Sequence, residues 1–218
     1  MMEPECSIAD ARNDLAEAAI AAAGMCLFAL FVHDRLPWRM LALAGLVVAA
    51  LALHRAIVTV PSPADLLGLR LRGRRASVCL VAGLALGAGL AVLLRWRWDA
   101  GPLPGALHVF VIPAALIGMA EELVYRGYVQ GRLRVLKAPW AMILAAAAHT
   151  AYKCALFCRA DAVAVNYVFL APATMLGGMA FGALRALAGS VWPAVAAHAC
   201  FDVLVYGDCK QAPWWVWQ

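Results

Sequence analysis

Glu121 and Glu122 stand side by side at the end of an apolar run in "LIGMAEELVYRGYVQGRL", residues 116–133, and Arg126 follows four positions after the second acid. Ionisable groups inside apolar segments of membrane length are costly and mark functional sites. Here they are few: Glu121, Glu122, His149, His198, Asp202 and Lys153, with Asn166 as an uncharged addition. Glu122 and Arg126, at i and i+4, share a helix face and can pair as carboxylate and guanidinium. Glu121 then points about 100° away from that face and stays available. His198 and Asp202 are also i, i+4 neighbours, so both can address one point. A carboxylate with two histidines in a partly dry cavity is a general-base arrangement for activating water, the histidines serving as proton donors or oxyanion stabilisers. The plain alternative is an interhelical polar cluster that only fixes packing. Lys153, a turn beyond His149, reads as a snorkelling lysine of that plainer kind.

These groups can meet only if separate helices carry them to one depth. His149 lies 12 residues past Lys137 and His198 lies 13 past Arg185, roughly 18–20 Å along their helices from a basic end. The acids precede Arg132 by about ten residues, roughly 15 Å on the same rise. The polar groups therefore fall at similar depths, measured from the basic ends.

The elements that must do this positioning are membrane helices. The chain of 218 residues is 65% hydrophobic and 14% charged, with a mean hydropathy of +0.80, outside the range of soluble domains. Apolar runs of helical length recur at about residues 15–32, 40–53, 76–94, 107–124, 139–157, 163–184 and 190–206, the second being the shortest, against roughly 20 residues for a full span. The expected fold is all-α, a polytopic transmembrane bundle of about seven helices forming a single membrane domain over residues 1–218. All eight tryptophans fall near the ends of these runs, as interfacial anchors do. The acidic N-terminus "MMEPECSIADARNDLAE" has no basic leader pattern, so the first run is expected to stay as a helix.

Arg12, Arg55, Arg70, Arg72, Arg74, Arg75, Arg126, Arg132, Arg134, Lys137 and Arg185 fall on one side of this arrangement. Arg35, Arg39, Arg95, Arg97, Lys153, Arg159 and Lys210 fall on the other. The richer side, with its excess in two short loops, is assigned to the cytoplasm. The net charge of +5 is thus a matter of topology, and a nucleic-acid partner is excluded. Seven scattered cysteines read as small buried hydrophobes, although Cys158 and Cys209 fall on the outer side and could pair. The interval "HRAIVTVPSPADLLGLRLRGRR" reads as a surface-lying amphipathic segment or a charged topogenic loop. Gly178 and Gly182, four apart in "GGMAFGAL", suit close helix packing.

Taken together, "EELVYRG", His149 in "AAAAHTAYK" and "HACFD" resemble the three motifs of the CPBP family of intramembrane proteases, which contains the type II CAAX prenyl endopeptidases. The resemblance spans about residues 65–206, with the "DLLGLRLR" segment as a weak lead-in. It implies that Glu121 activates the hydrolytic water, that His149 assists it, and that His198 with Asp202 stabilises the oxyanion. Glu122 and Arg126 carry over as the structural pair. Two residues depart from the pattern. Ala145 stands where phenylalanine precedes the histidine, and Tyr125 stands where phenylalanine is frequent. More serious is Asp202, at a position that the motif fills with asparagine or aspartate: an ionised carboxylate would repel an oxyanion, so it must be protonated or instead orient His198.

Family members have been labelled metalloproteases, and Glu121, His149 and His198 could supply a carboxylate and two histidines to zinc. Against zinc, the chain has no His-Glu-x-x-His helix, and Arg126 beside Glu122 opposes a dication. No cofactor is favoured, which leaves a glutamic-type hydrolase. The expected partners are the lipid bilayer and a membrane-associated protein or peptide, either a CAAX-like prenylated tail or a C-terminal sorting segment. The alternative function is a non-proteolytic member of the same family in a bacteriocin-immunity or scaffold role. The expected location is a cell membrane, a bacterial inner membrane, with the site opening towards the cytoplasmic side.

Overall fold

The computed structural model describes residues 8–32, 37–158 and 164–217. Cys6, Arg35 and Arg159, which entered the cysteine and charge arguments above, lie outside them. The helices are α1 (Ile8–Leu30), α2 (Trp38–Thr59), a short α3 (Pro63–Leu67), α4 (Gly73–Arg97), α5 (Val111–Glu122), α6 (Gln130–Arg132), α7 (Ala138–Phe157), α8 (Tyr167–Ala188) and α9 (Trp192–Tyr206). A π-helical stretch, Leu123–Val129, joins α5 to α6 without a break, and a 3-10 turn, Leu133–Val135, ends that rod. The described residues form no strand. Counting the α5–α6 rod once and setting α3 aside leaves the seven rods expected from the apolar runs.

Five of them, α1, α2, α4, α7 and α8, are long and apolar enough to cross a membrane. The apolar side chains point outward: Ile20, Phe31, Leu43, Leu51, Val81 and Leu176 are all more than half exposed. Outward apolar residues fit a hydrocarbon solvent, in which close packing rather than the hydrophobic effect joins helices. The contact between α4 and α9 shows this. A side chain at Gly83 or Gly87 would collide with the backbone of Pro193 or Ala197, so glycine lets the two helices approach. Gly178 and Gly182 behave as expected, lying against Ala146 and Met142 of α7.

Helix α2 runs to Thr59, beyond the end of the apolar run, because Arg55 is paired with Glu17 of α1 through Nε at 3.0 Å. The acidic N-terminal helix is thus tied into the basic end of the bundle. Arg132 bonds Asp14 at 2.6 Å and also the Thr59 hydroxyl, while Tyr128 donates to Glu17 at 2.7 Å. The Pro-rich interval is less superficial than expected. Leu66 and Leu67 of α3 are buried, and Gly131 and Gly127 leave room for them under the motif rod. Gly68 ends α3 at φ +68°, a conformation that suits glycine. Its carbonyl accepts from Val191 N–H at 2.9 Å and from Ser190 Oγ.

The opposite end is closed by a different clasp. Arg95, 4% exposed, bonds the carbonyls of Gly101, Leu103 and Leu204 and pairs with Asp208 at 2.9 Å. Asn166, a lone polar residue in the sequence, caps α8 by accepting from Phe169 N–H. Cys158 and Cys209 both lie toward this end as free thiols, not as a disulfide.

Candidate active site

The motif rod, α7 and α9 bring the carboxylates and histidines together in the middle of the bundle. Glu121, Glu122, Arg126, His149, His198 and Asp202 are all at most 6% exposed. Glu122 pairs with Arg126 at 3.2 Å, as the i, i+4 spacing expects, and the bond survives although the helix widens into its π-turn immediately after Glu122. π-turns of this kind occur at functional sites.

Arg126 also reaches across to α7, where its Nη1 lies 3.2 Å from His149 Nδ1. A guanidinium only donates, so Nδ1 accepts and the ring proton resides on Nε2. Nε2 then donates to Glu121 Oε2 at 3.1 Å. Tyr125 buttresses the imidazole, ring centroids 4.7 Å apart. Behind it, Ala145 is buried in the cluster that holds Tyr125, Tyr128 and Tyr152, so tyrosines crowd the region where the motif would have a phenylalanine.

Two contacts were not readable from spacing. Lys153, read as a snorkelling lysine, turns inward and donates to Glu121 Oε1 at 2.7 Å. It stands one turn after His149 on the same face of α7, so the carboxylate that meets the histidine also meets the ammonium. Glu122, read as a partner of Arg126 alone, also accepts from His198 Nδ1 at 2.8 Å. Asp202, expected to orient His198, lies 3.8 Å from its Nε2, and Glu121 Oε2 lies 3.9 Å from the same atom. These separations are too long for direct hydrogen bonds. One oxygen atom placed among the three would reach all of them.

The residue that permits this convergence is Gly118, one turn before Glu122. A Cβ there would run into Asp202 Oδ2 and approach the His198 ring to 3.0 Å.

Two cavities meet at the cluster. The larger, about 550 Å³, lies between α4, α7, α8 and α9 and is walled by His149, Thr174, Phe181 and His198. The smaller, about 160 Å³, is lined by Glu121, Gly118, Phe110 and Ile117. Lys153, Phe157, Asp202 and Tyr206 belong to both. Both extend from the site towards the ends marked by Phe157, Tyr206 and the C-terminal segment, away from the basic loops. The expected opening on the basic side is not where the cavities lead: Tyr125, Tyr128 and Val129 fill that side, each at most 1% exposed.

The family model for Type II CAAX prenyl endopeptidase Rce1-like proteins matches residues 103–204. Over that stretch the chain is similar to the Rce1-like family. The matched segment holds every residue of the cluster, from Gly118 to Asp202. No curated protein and no solved structure matches the chain. The matched segment lies in a bundle with five helices long and apolar enough to cross a membrane.

Zinc, considered above for Glu121, His149 and His198, meets a donor set already engaged with cations. Glu121 Oε1 carries the Lys153 ammonium, and Arg126 occupies the far nitrogen of His149. In zinc sites that second nitrogen ordinarily donates to a carboxylate or carbonyl. Among the described residues, no group of three or more His, Cys, Asp or Glu side chains is arranged to hold a metal.

Proposed function

We propose that this protein is an intramembrane endopeptidase that hydrolyses a peptide bond of a membrane-associated polypeptide, with Glu121 as the base and without a metal. The observation that supports it best is the disposition of Glu121. One oxygen is held by Lys153, the other faces His149 and His198, and the residue lines the smaller cavity.

In this reading Glu121 takes a proton from water, and the resulting hydroxide attacks the scissile carbonyl carbon. The π pair moves onto oxygen, and His198 Nε2–H donates to that oxyanion. Collapse breaks the C–N bond, and Glu121 returns the proton to the departing amine. A positioned base contributes roughly 10²–10⁴ in rate, and an oxyanion donor roughly 10²–10³.

His198 can donate at Nε2 while also donating Nδ1–H to Glu122 only as an imidazolium. Counted so, three carboxylates (Glu121, Glu122, Asp202) face three cations (Lys153, Arg126, His198), which lets a buried charge cluster persist. Asp202 then serves as the counter-charge of His198 and need not touch the oxyanion.

The test is cleavage of a panel of prenylated tails and C-terminal anchor segments by the detergent-purified protein and its Glu121→Gln variant. Cleavage by the wild type and its loss in a variant that remains folded support the proposal. A Glu121→Gln variant that cleaves at the wild-type rate overturns it.

A further inference from the structure

We infer that the scissile segment reaches Glu121 from the face opposite the basic loops, so that the substrate is a membrane-anchored segment of an exported polypeptide and not a cytoplasmic prenylated tail. The inference rests on the proteolytic reading for its substrate and on the bundle alone for its direction.

The direction follows from which halves of the helices line the cavities. From α7 come His149, Lys153 and Phe157; from α9, His198, Asp202 and Tyr206. Each triplet runs from the site to the same end of the bundle, eight residues or about 12 Å on. From α4 come Leu90, Leu94 and Arg97, its last turns, and α8 lines the cavity from Phe169 in its first turn to Phe181 beside His198. That end also holds the Arg95–Asp208 clasp and Trp217.

The other approach is filled. Leu66 and Leu67 dock under the motif rod, Tyr128 bonds Glu17, and Arg132 bonds Asp14. This filled end carries Arg70, Arg72, Arg74, Arg75, Arg134 and Lys137, all exposed. At the cavity end the exposed cations among the described residues are Arg39, Arg97 and Lys210. The excess of short-loop cations keeps the filled end in the cytoplasm. The open end therefore faces away from it.

The occupant follows from the wall. The larger cavity is mostly apolar, and its rim residues Leu93 and Leu176 are 60% and 67% exposed on the lipid-facing surface. An apolar helix in the bilayer can unwind its outward end into such a wall, and its freed backbone polar groups then lie inside protein, where irregular backbone is tolerated. A prenylated tail is presented from the cytoplasm, where the route is closed.

The test uses the full-length chain in sealed vesicles of both orientations and a membrane-impermeant thiol reagent, with labelling read site by site. Native Cys158, exposed at the end of α7, reports the cavity end. Arg74→Cys reports the basic end, and Ala173→Cys the wall of the larger cavity. The expected result is that Ala173→Cys and Cys158 label only with the non-cytoplasmic face presented, and Arg74→Cys only with the cytoplasmic face presented. Labelling of Ala173→Cys together with Arg74→Cys, labelling of Arg74→Cys from outside, or no labelling of Ala173→Cys from either face overturns the inference. A second arm places one cleavable anchor segment at each face of the membrane; cleavage confined to the segment at the cytoplasmic face overturns the substrate assignment. If labelling is as expected and neither segment is cut by an enzyme inactive on every peptide, the proteolytic reading fails and the direction of access stands.

Discussion

Glu121 and Glu122 are adjacent in sequence yet differ in what a neutral substitution should do. Glu122 and Arg126 are both fully buried and bonded to each other, so Glu122→Gln strands a guanidinium in the bundle. The expected cost is roughly 3–5 kcal/mol, seen as loss of the folded protein in thermal unfolding in detergent. Glu121 pairs instead with Lys153, whose side chain is 17% exposed and lines both cavities. Glu121→Gln should therefore leave unfolding close to that of the wild type while lowering kcat by roughly 10²–10⁴. Lys153→Met should lower kcat with little change in KM, and Lys153→Arg, which keeps the charge, should recover part of the loss; steady-state kinetics on one cleaved peptide would show this. The Glu122–Arg126 pair was legible because both partners lie on one helix at fixed spacing. Lys153 was not, since a lysine one turn from a histidine looks the same in sequence whether it reaches outward to water or inward to an acid on another helix.

At the scale of elements, the site depends on how closely the motif rod approaches α9. Gly118→Ala would push Asp202 and His198 off their positions, and it should reduce cleavage more than it reduces the melting temperature. Comparing the two losses separates displacement of the site from general unfolding. The outer clasp has a pH signature of its own. Partial burial works against ionisation of Asp208, but the Arg95 guanidinium and the backbone N–H groups of Ala106 and Gly105 outweigh it, so its carboxyl titrates below the usual aspartate value. A lowered folded pKa means the clasp's contribution is fully present above an unfolded value of about 3.9 and is lost as pH falls through the folded value. Thermal unfolding should separate the wild type from Asp208→Asn at pH 7, and the difference should close on acidification below the folded pKa. Neither Arg95–Asp208 nor the tie from Ser190 to the end of α3 was legible in the sequence, because each joins segments more than a hundred residues apart, the first through a side-chain ion pair and the Leu204 carbonyl and the second through the Gly68 carbonyl.

At the scale of the whole molecule, hydropathy was enough to give the seven rods and their alternating directions, because a hydrocarbon solvent demands self-satisfied helices. Counting residues from basic anchors also placed the polar groups at a common depth. It could not say which way the site opens, since a group near the middle of the bilayer is about as far from one face as from the other. That depended on bulk: Tyr125 and Tyr128 fill one side, while Thr174, Gly177 and Ala173 leave the other hollow. The central claim is that this hollow leads to the histidine and lysine partners of a glutamate that works with them in place of a metal. Its most direct test is the cleavage rate of protein stripped of metal by a chelator, then measured before and after zinc is returned, beside Glu121→Gln under the same conditions. The expected result is an undiminished rate in the stripped protein and none in the variant. A stripped protein that is inactive until zinc restores it would contradict the claim.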